Sequence, residues 1–172
     1  MSRLVSAEGR VILRPWSHGD EAALAHHASN PKIAINLRDR FPNPYTLEDA
    51  REWIAVCQGQ ERDGRTLSFA IEVQGEPVGG IGLMPGTDIH RISAEVGYWL
   101  SEEYWGQGLA AEALRTMVAY ASEKLSLTRL YAGVFAWNPA STRVLEKAGF
   151  EFEVRTRCSA IKGGRVVDEL YY

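Results

Sequence analysis

The chain has 172 residues, of which 45% are hydrophobic and 24% charged, and its formal net charge is -3. This size and composition predict a single globular domain over residues 1–172, with a sizeable core and room for one active site. The negative net charge and the absence of a long run of Lys and Arg argue against a nucleic-acid partner.

The sequence also disfavours membrane association, disulfides and metal binding. No stretch approaches the ~20 apolar residues that span a bilayer, and residues 1–10 lack an apolar signal core, so we expect a cytoplasmic protein. Cys57 and Cys158 form no CxxC pair, which predicts buried thiols in a reducing compartment. No metal site is predicted, because none of the four histidines has an acidic partner at the spacing of metal ligands. We expect these histidines on helix surfaces: His18, His26, His27 and His90.

The first third of the chain predicts one strand and two helices. Residues 10–15, with the sequence RVILRP, contain a short apolar run and end in proline, which predicts a strand. A helix is predicted over 20–29. Residues 32–45 are irregular, and Thr46 begins a second helix through about Gln58 by side-chain capping.

The remainder of the chain predicts three antiparallel strands, a helix, a strand, a helix and two strands. From Thr66 the apolar residues recur with a period of two, which predicts a hairpin up to Pro85 and then a strand over 92–100. The helix predicted over 109–125 has one apolar face that would pack on a sheet. A strand, a short helix and two closing strands follow, over 129–137, 138–148, 150–161 and 165–172. This order predicts an α+β fold around one mixed sheet.

A glycine loop precedes the helix over 109–125. Gly106 and Gly108 let an anion approach the backbone, and the helix start supplies unpaired N–H groups and the positive end of its dipole. The loop therefore predicts a pyrophosphate site, but taken alone a Gly-x-Gly before a helix is equally typical of a plain connector.

Three motifs follow one another at characteristic spacing. They are AEVGYWL at 94–100, YWGQGLA at 104–110, and NPAS at 138–141 followed by LEKAGF at 145–150. Together they resemble the GNAT acetyltransferases, and among these the subgroup named for acetylating the amino termini of ribosomal proteins. The likeness in element order covers nearly the whole chain.

The resemblance implies a GNAT fold, with one mostly antiparallel central sheet of about seven strands, splayed before the glycine loop and flanked by about four helices. It implies an acyltransferase that uses acetyl-coenzyme A to acetylate a primary amine. In such proteins the splayed strand binds the pantetheine and polarises the acetyl carbonyl, while the loop amides bind the pyrophosphate. The cofactor-binding residues implied are Tyr98, Trp99, Leu100, Trp105, Gly106, Gln107, Gly108, Leu109, Ala110, Ala111, Asn138 and Ser141.

Two positions depart from the family pattern. Trp105 stands where the loop usually has Arg or Gln, so a charge is lost. We therefore expect the backbone amides to make most of the contacts with the pyrophosphate. Leu145 stands where many members carry the tyrosine that protonates the departing thiolate, so that general acid is missing. For the Trp99 side chain we favour an ordinary buried position.

Asn138 and Ser141 each have two possible roles. The resemblance lets Asn138 bind the pantetheine amides, and before Pro139 it is equally suited to be an N-cap, which is worth ~1 kcal/mol. Ser141 is placed near the coenzyme sulfur and is a candidate acid in place of the tyrosine; the alternative is a helix-start serine bonded to Asn138. Because a free thiol has a pKa of about 8.5, the thiolate can leave near neutral pH without a strong acid.

Glu95, in the strand before the loop, is the candidate catalytic base or the group that holds a cationic acceptor, as in similar amine acetyltransferases. The alternatives are a solvent-facing side chain or an ion pair with Arg91 or Arg129. An amino-terminal amine has a pKa of about 8 and lysine about 10.4, so a weak base suits an amino terminus better.

Acceptor contacts come, by family analogy, from the irregular segment over 32–45 and from Tyr98. The segment's candidates are Asn36, Arg38, Phe41 and Tyr45, with Asn36 and Phe41 preferred. A capped, partly buried loop explains each of them equally well. Of Asp168 and Glu169 on the last strand, alternation allows only one to face inward.

The predicted reaction is direct attack by a neutral amine in a ternary complex, because no Cys with a His partner is placed as a nucleophile. The favoured acceptor is a peptide or protein amino terminus, and a polyamine, amino acid or aminoglycoside is the alternative. A second hypothesis, motivated by the missing tyrosine, is a non-catalytic module that binds coenzyme A. Both a monomer and a homodimer remain open.

Overall fold

The structure is a computed structural model that describes residues 3–63 and 66–172. The described residues form nine strands: β1 Leu4–Val5, β2 Ile12–Pro15, β3 Leu67–Val73, β4 Glu76–Pro85, β5 Ser93–Leu100, β6 Arg129–Tyr131, β7 Gly133–Phe135, β8 Val154–Lys162 and β9 Arg165–Tyr171. They also form five α-helices: α1 Glu21–Ala28, α2 Pro31–Ala34, α3 Leu47–Asp63, α4 Leu109–Leu125 and α5 Pro139–Lys147. No helix of these segments is long and apolar enough to cross a membrane.

The strands form two sheets. In the first, β1 to β6 lie side by side in chain order, and all neighbours are antiparallel except β5 and β6. In the second, antiparallel sheet the order is β7, β9, β8. The expected α+β class with a mostly antiparallel main sheet is confirmed, with the strands divided between two sheets.

The predicted strand over 129–137 is two strands that belong to different sheets. β6 pairs with β5 along Ser93–Glu95, whereas β7 pairs with β9. Between them, Ala132 exchanges backbone hydrogen bonds of 3.0 and 3.1 Å with Tyr172. Beyond Glu95, β5 and β7 therefore diverge, which is the splay expected before the glycine loop.

Helices cover both faces of the main sheet, so alternate residues of β5 face different surroundings. Tyr98 and Leu100 pack with the larger apolar cluster, which includes residues of α4 and the fully buried Phe69. Trp99 packs instead with the smaller cluster, which includes residues of α1 and α3 and Ala70 of β3. This alternation, with its period of two, separates the two sides of the site.

Local signals set most helix ends. Thr46 N–H donates to Asp49 Oδ2 at 2.7 Å, and Asp49 N–H donates to Thr46 Oγ1 at 3.1 Å, so the predicted cap of α3 is present. This helix continues past Gln58 to Asp63, because a single interior Gly59 costs only about 1 kcal/mol. The two-residue β1 and the one-turn α2 were not predicted.

Two predictions about single side chains are wrong. His27 is buried, with Nε2 2.9 Å from Glu76 Oε1 and Nδ1 3.0 Å from Ser101 Oγ. Because a carboxylate only accepts hydrogen bonds, Nε2 donates to Glu76. The two contacts of His27 connect α1 to the start of β4, through Glu76, and to the end of β5, through Ser101. Cys57 is buried as expected, but Cys158 is exposed, since it lies where the pairing of β8 with β9 shifts register.

Candidate active site

The glycine loop and the start of α4 have the geometry of an anion cradle. Gly106 and Gly108 have φ of +75° and +80°, and a Cβ at Gly106 would meet nothing within 4 Å. The N–H of Glu112 donates to Gly108 O at 3.1 Å and opens the hydrogen-bond ladder of α4. The amides of 109–111 precede that bond and are available to an anion.

Trp105 and Gln107 hold the loop in shape. The Trp105 indole Nε1 donates to Leu100 O at 2.7 Å, which fastens the loop to the end of β5. The Gln107 side chain donates to Glu103 O at 3.2 Å, across the short 3-10 turn before the loop. The indole therefore replaces the usual charged or amide side chain with a structural contact.

An ion pair lies behind the cradle, and sequence reasoning missed it. Arg10 Nη1 donates to Gln107 O at 3.2 Å, and its Nη2 lies 2.6 Å from Oε2 of the fully buried Glu112. The other oxygen of Glu112 accepts from Ser6 Oγ and from Arg10 N–H. Arg10 offsets a carboxylate that would otherwise repel an anion at this helix start. The partners are 102 positions apart, so no local pattern indicates them.

A cavity of about 530 Å³ opens over the loop and reaches α2 and α5. Three basic side chains line it, Lys32, Arg143 and Lys147, and the lining contains no acidic residue among those described. We call it the donor cavity. Its open amides and basic walls fit the phosphates of coenzyme A. Sequence reasoning missed Arg143 and Lys147, although their i,i+4 spacing puts them on one face of α5.

The structure brings almost all the predicted cofactor residues to the donor cavity. Its lining includes Tyr98, Trp99, Leu100, Trp105, Gly106, Gly108, Leu109, Ala110, Ala111, Asn138 and Ser141. Gln107 does not line it. The side chains of Leu109 and Ala111 are buried in the protein, so their backbone is the part that can face a ligand.

Tyr98 and Ser141 meet between β5 and α5. The two hydroxyl oxygens are 2.7 Å apart, and Tyr98 OH also lies 3.2 Å from Ser141 O. Burial raises the pKa of the Tyr98 phenol to about 12, against the opposing effect of its bond with Ser141. Tyr98 therefore stays protonated in the ordinary pH range. Sequence reasoning assigned the backbone of Tyr98 to the cofactor and missed this contact of its hydroxyl.

The start of α5 has the N-cap geometry that was one of the two alternatives. Ser141 N–H donates to Asn138 Oδ1 at 3.2 Å, Pro139 is the first helical residue, and Gly149 follows the end of the helix with φ of +91°. Leu145, at the position of the missing tyrosine, is fully buried in the larger core cluster. A role of Asn138 toward pantetheine remains a prediction.

A second cavity, of about 640 Å³, lies under α3 and the irregular segment, and we call it the acceptor cavity. Glu95 lines it and bonds neither Arg91 nor Arg129: Arg38 Nη2 donates to Glu95 Oε1 at 2.6 Å. Arg129 pairs instead with Glu153. This partner was not foreseen because it lies in the irregular segment, 57 positions away.

The predicted acceptor residues Asn36, Phe41 and Tyr98 all line the acceptor cavity. Asn36 Oδ1 accepts from Trp137 Nε1 at 3.1 Å, which ties the irregular segment to the end of β7. Of the two acidic residues on β9, Glu169 faces this cavity. Asp168 pairs with Arg155, so alternation separates them as expected.

A fold with a splayed sheet, an anion cradle at a helix start and a second cavity across the same strand defines a group-transfer enzyme. Two curated relatives agree with this class. The chain is 31% identical over 165 residues, 95% of this chain and 92% of the relative, to an uncharacterized N-acetyltransferase, YoaA, of Bacillus subtilis (strain 168). It is 34% identical over 143 residues, 83% and 74% of the two chains, to a spermidine N(1)-acetyltransferase of Escherichia coli (strain K12).

Solved structures are similar over nearly the whole chain. Mycobacterium smegmatis RimJ in complex with CoA-disulfide has a TM-score of 0.87 and 26% identity, covering 99% of this chain and 84% of its own. RimL, a ribosomal L7/L12 alpha-N-protein acetyltransferase in complex with coenzyme A, has a TM-score of 0.88 and 20% identity, covering 99% and 96%.

The family model described as an acetyltransferase (GNAT) domain matches residues 10–151. The chain therefore belongs to the GNAT acetyltransferase family and is an N-acetyltransferase. The resemblance to ribosomal-protein acetyltransferases, the GNAT fold and the acyltransferase class are confirmed. The expected coenzyme A cofactor is confirmed by the complexes in which these neighbours were solved.

Proposed function

We propose that the protein transfers the acetyl group of acetyl-CoA directly to a primary amine, preferably the amino terminus of a peptide or protein. One observation carries this proposal: two cavities of different charge meet at Tyr98 and Trp99, which line both. The donor cavity is basic. The acceptor cavity is balanced, with Arg38, Arg40 and Lys162 against Asp39, Glu95 and Glu169.

On the donor side, the amides of 106–111 hold the pyrophosphate, and Arg143 and Lys147 are its basic neighbours. When bound, acetyl-CoA supplies a thioester whose carbonyl carbon is attacked by the amine. Backbone groups of 98–100, beyond the part of β5 that pairs with β6, orient that carbonyl. The Ser141 hydroxyl is the hydrogen-bond donor for the coenzyme sulfur.

On the acceptor side, Glu95 takes the proton of the amine, directly or through water. Arg38 bonds to Oε1, which leaves Oε2 for the amine or a water molecule. An amino terminus, with a pKa of about 8, loses its proton near neutral pH with little help. Neither of the two cysteines, Cys57 and Cys158, lines either cavity, which supports direct transfer without a covalent enzyme intermediate.

The names of the relatives point to two acceptors, a protein amino terminus for RimL and a polyamine for the spermidine enzyme. A polyamine carries several ammonium groups and needs an excess of carboxylates to replace their hydration. The balanced charge of the acceptor cavity favours an acceptor with one ammonium group. The alternatives are another small amine and a module that binds coenzyme A without turnover.

The test is thiol release from acetyl-CoA with a panel of peptides, spermidine and an aminoglycoside. We expect release that depends on the amine and is fastest with peptides. The Glu95→Gln variant should lower kcat/KM and move the rising limb of its pH profile to higher pH. The glutamine amide cannot accept the proton of the amine, so the amine must lose that proton to solvent. Glu123→Gln, on the exposed face of α4, is the matched control. Tight coenzyme A binding without amine-dependent release would sink the proposal.

A further inference from the structure

A row of residues without bulky side chains crosses the sheet under α3. Ser68 of β3 pairs with Gly82 of β4, and Gly82 pairs with Gly97 of β5. All three line the acceptor cavity. A Cβ at Gly82 would lie 3.6 Å from Ser68 Oγ, so the two residues share one face of the sheet. Since neighbouring strands are about 4.8 Å apart, the row is a trough about 10 Å long.

The walls of this trough, the 68–82–97 trough, are apolar over most of its length. On one side the Trp99 ring covers Gly80, where a Cβ would come within 2.7 Å of the indole Nε1. On the other side lies Met84, whose Cε is 3.8 Å from a Cβ built at Gly97. Trp53 of α3 also lines the cavity. A slender apolar group lying on the floor of the trough can therefore contact apolar side chains on two sides.

The two ends of the trough differ. At the β5 end, Glu95 stands beside the splay where acetyl transfer is proposed to take place. At the β3 end, Ser68 Oγ donates to Gln60 Oε1 at 3.4 Å, so the Ser68 hydroxyl already has a partner. Among the residues whose side chains the structure describes, the charged ones that line the cavity belong to the irregular segment, β5, β8 and β9, away from that end. None of these carboxylates is placed to replace the hydration of a cationic group at the β3 end.

We propose that the 68–82–97 trough binds a long, uncharged, apolar side chain carried next to the acceptor's amine. Acceptors would then begin with a residue of the methionine, leucine or phenylalanine class rather than with alanine, serine or lysine. This inference rests on the proposed function, because it names the class of amine that the same site accepts.

The test is the first-residue dependence of acetylation in one peptide series. Peptides that begin with alanine, norleucine, phenylalanine or lysine, and are otherwise identical, are compared by thiol release. We expect kcat/KM for norleucine and phenylalanine to exceed that for alanine by at least tenfold, because the apolar side chain leaves water. Lysine, nearly isosteric with norleucine but charged, should fall below norleucine.

Gly97 offers a variant that blocks the trough without a backbone penalty. Its φ is not in the left-handed region, and a Cβ there meets nothing closer than Met84 Cε at 3.8 Å. Gly97→Val should therefore fold and bring the norleucine-to-alanine ratio close to one, with Gly97→Ala intermediate. Coenzyme A affinity by calorimetry and the melting temperature report whether each variant is folded, independently of turnover.

The outcomes separate this inference from the proposed function. If no peptide or amine is acetylated, the proposed function fails. If the peptides are acetylated at rates independent of the first residue, or if lysine exceeds norleucine, the trough assignment alone fails. A Gly97→Val variant that binds coenzyme A normally and keeps the full preference also overturns it.

Discussion

The contact between Tyr98 and Ser141 gives the serine hydroxyl a hydrogen-bond partner, in a site where the family's tyrosine is absent. A serine hydroxyl is a much weaker acid than a thiol, so proton transfer from Ser141 to a thiolate is uphill. Ser141 is better suited to stabilise negative charge on sulfur by donating a hydrogen bond. A donation from Tyr98 OH to Ser141 Oγ, which are 2.7 Å apart, strengthens that bond and directs the serine proton away from Tyr98.

Tyr98→Phe removes this support and keeps the ring. We expect kcat to fall by about 3- to 10-fold, the equivalent of one hydrogen bond, with little change in the affinity for coenzyme A. Steady-state kinetics and calorimetry measure the two quantities. Tyr120→Phe, at a tyrosine that packs on Phe69 outside both cavities, is the control. A Tyr98→Phe protein with normal kcat and only a lower melting temperature would show a purely structural role.

The glycine loop acts as one element with the helix it begins. It is fastened to β5 by Trp105, to the first turn of α4 by Arg10 and Glu112, and to α1 through the bond of His27 with Ser101. These contacts hold the open amides in place before a ligand arrives. Binding then requires little ordering of the loop.

Gly108→Ala disturbs this element. At its φ of +80° an alanine is disfavoured by about 1–2 kcal/mol, so the loop without ligand moves to another backbone conformation. Ligand binding must then restore the original conformation. We expect the Kd for coenzyme A to rise by about 5- to 30-fold in calorimetry. Gly59→Ala in α3 adds the same methyl group in open space and should leave that Kd unchanged. An equal Kd in both variants would contradict a preformed cradle.

Elements set by local signals were predictable, and those set by pairing across the chain were not. α4 runs over Leu109–Leu125 as predicted, because the glycine loop and the helical period mark it locally. The break at Ala132 arises because β6 pairs with β5 whereas β7 pairs with β9. The sequence around Ala132 does not indicate these pairing partners. In the same way, the motifs located the donor cavity, whereas the Arg38 bond to Glu95 needed the folded chain.

At the scale of the whole molecule, a buried charge network joins the main sheet to α1. Arg14 of β2 donates to both oxygens of Asp20, at 2.7 and 2.9 Å, and also pairs with Glu72 of β3. Burial raises the pKa of Asp20, but the hydrogen bonds from Arg14 and Ser17 outweigh it, so its pKa lies below the usual value.

The sign of this shift predicts how stability depends on pH. A carboxyl with a lowered folded-state pKa stabilises the protein above its unfolded pKa of about 3.9, and that stability is lost as the pH falls through the folded value. Asp20→Asn should therefore lower the melting temperature most at pH 6–7, and the difference from the wild type should shrink below about pH 4. Asp88→Asn, in an exposed turn, is the control. A difference that is constant from pH 7 to 3 would contradict this role.

Because β5 turns Tyr98 and Leu100 to one side and Glu95, Gly97 and Trp99 to the other, neighbouring residues of one short strand face different parts of the site. Glu95 and Gly97 line the acceptor cavity and not the donor cavity, so substitutions at these two positions can change the acceptor while Leu100 keeps its place in the donor cavity. An enzyme with this layout can be retargeted, by selection or by design, without rebuilding the half of the site that recognises acetyl-CoA.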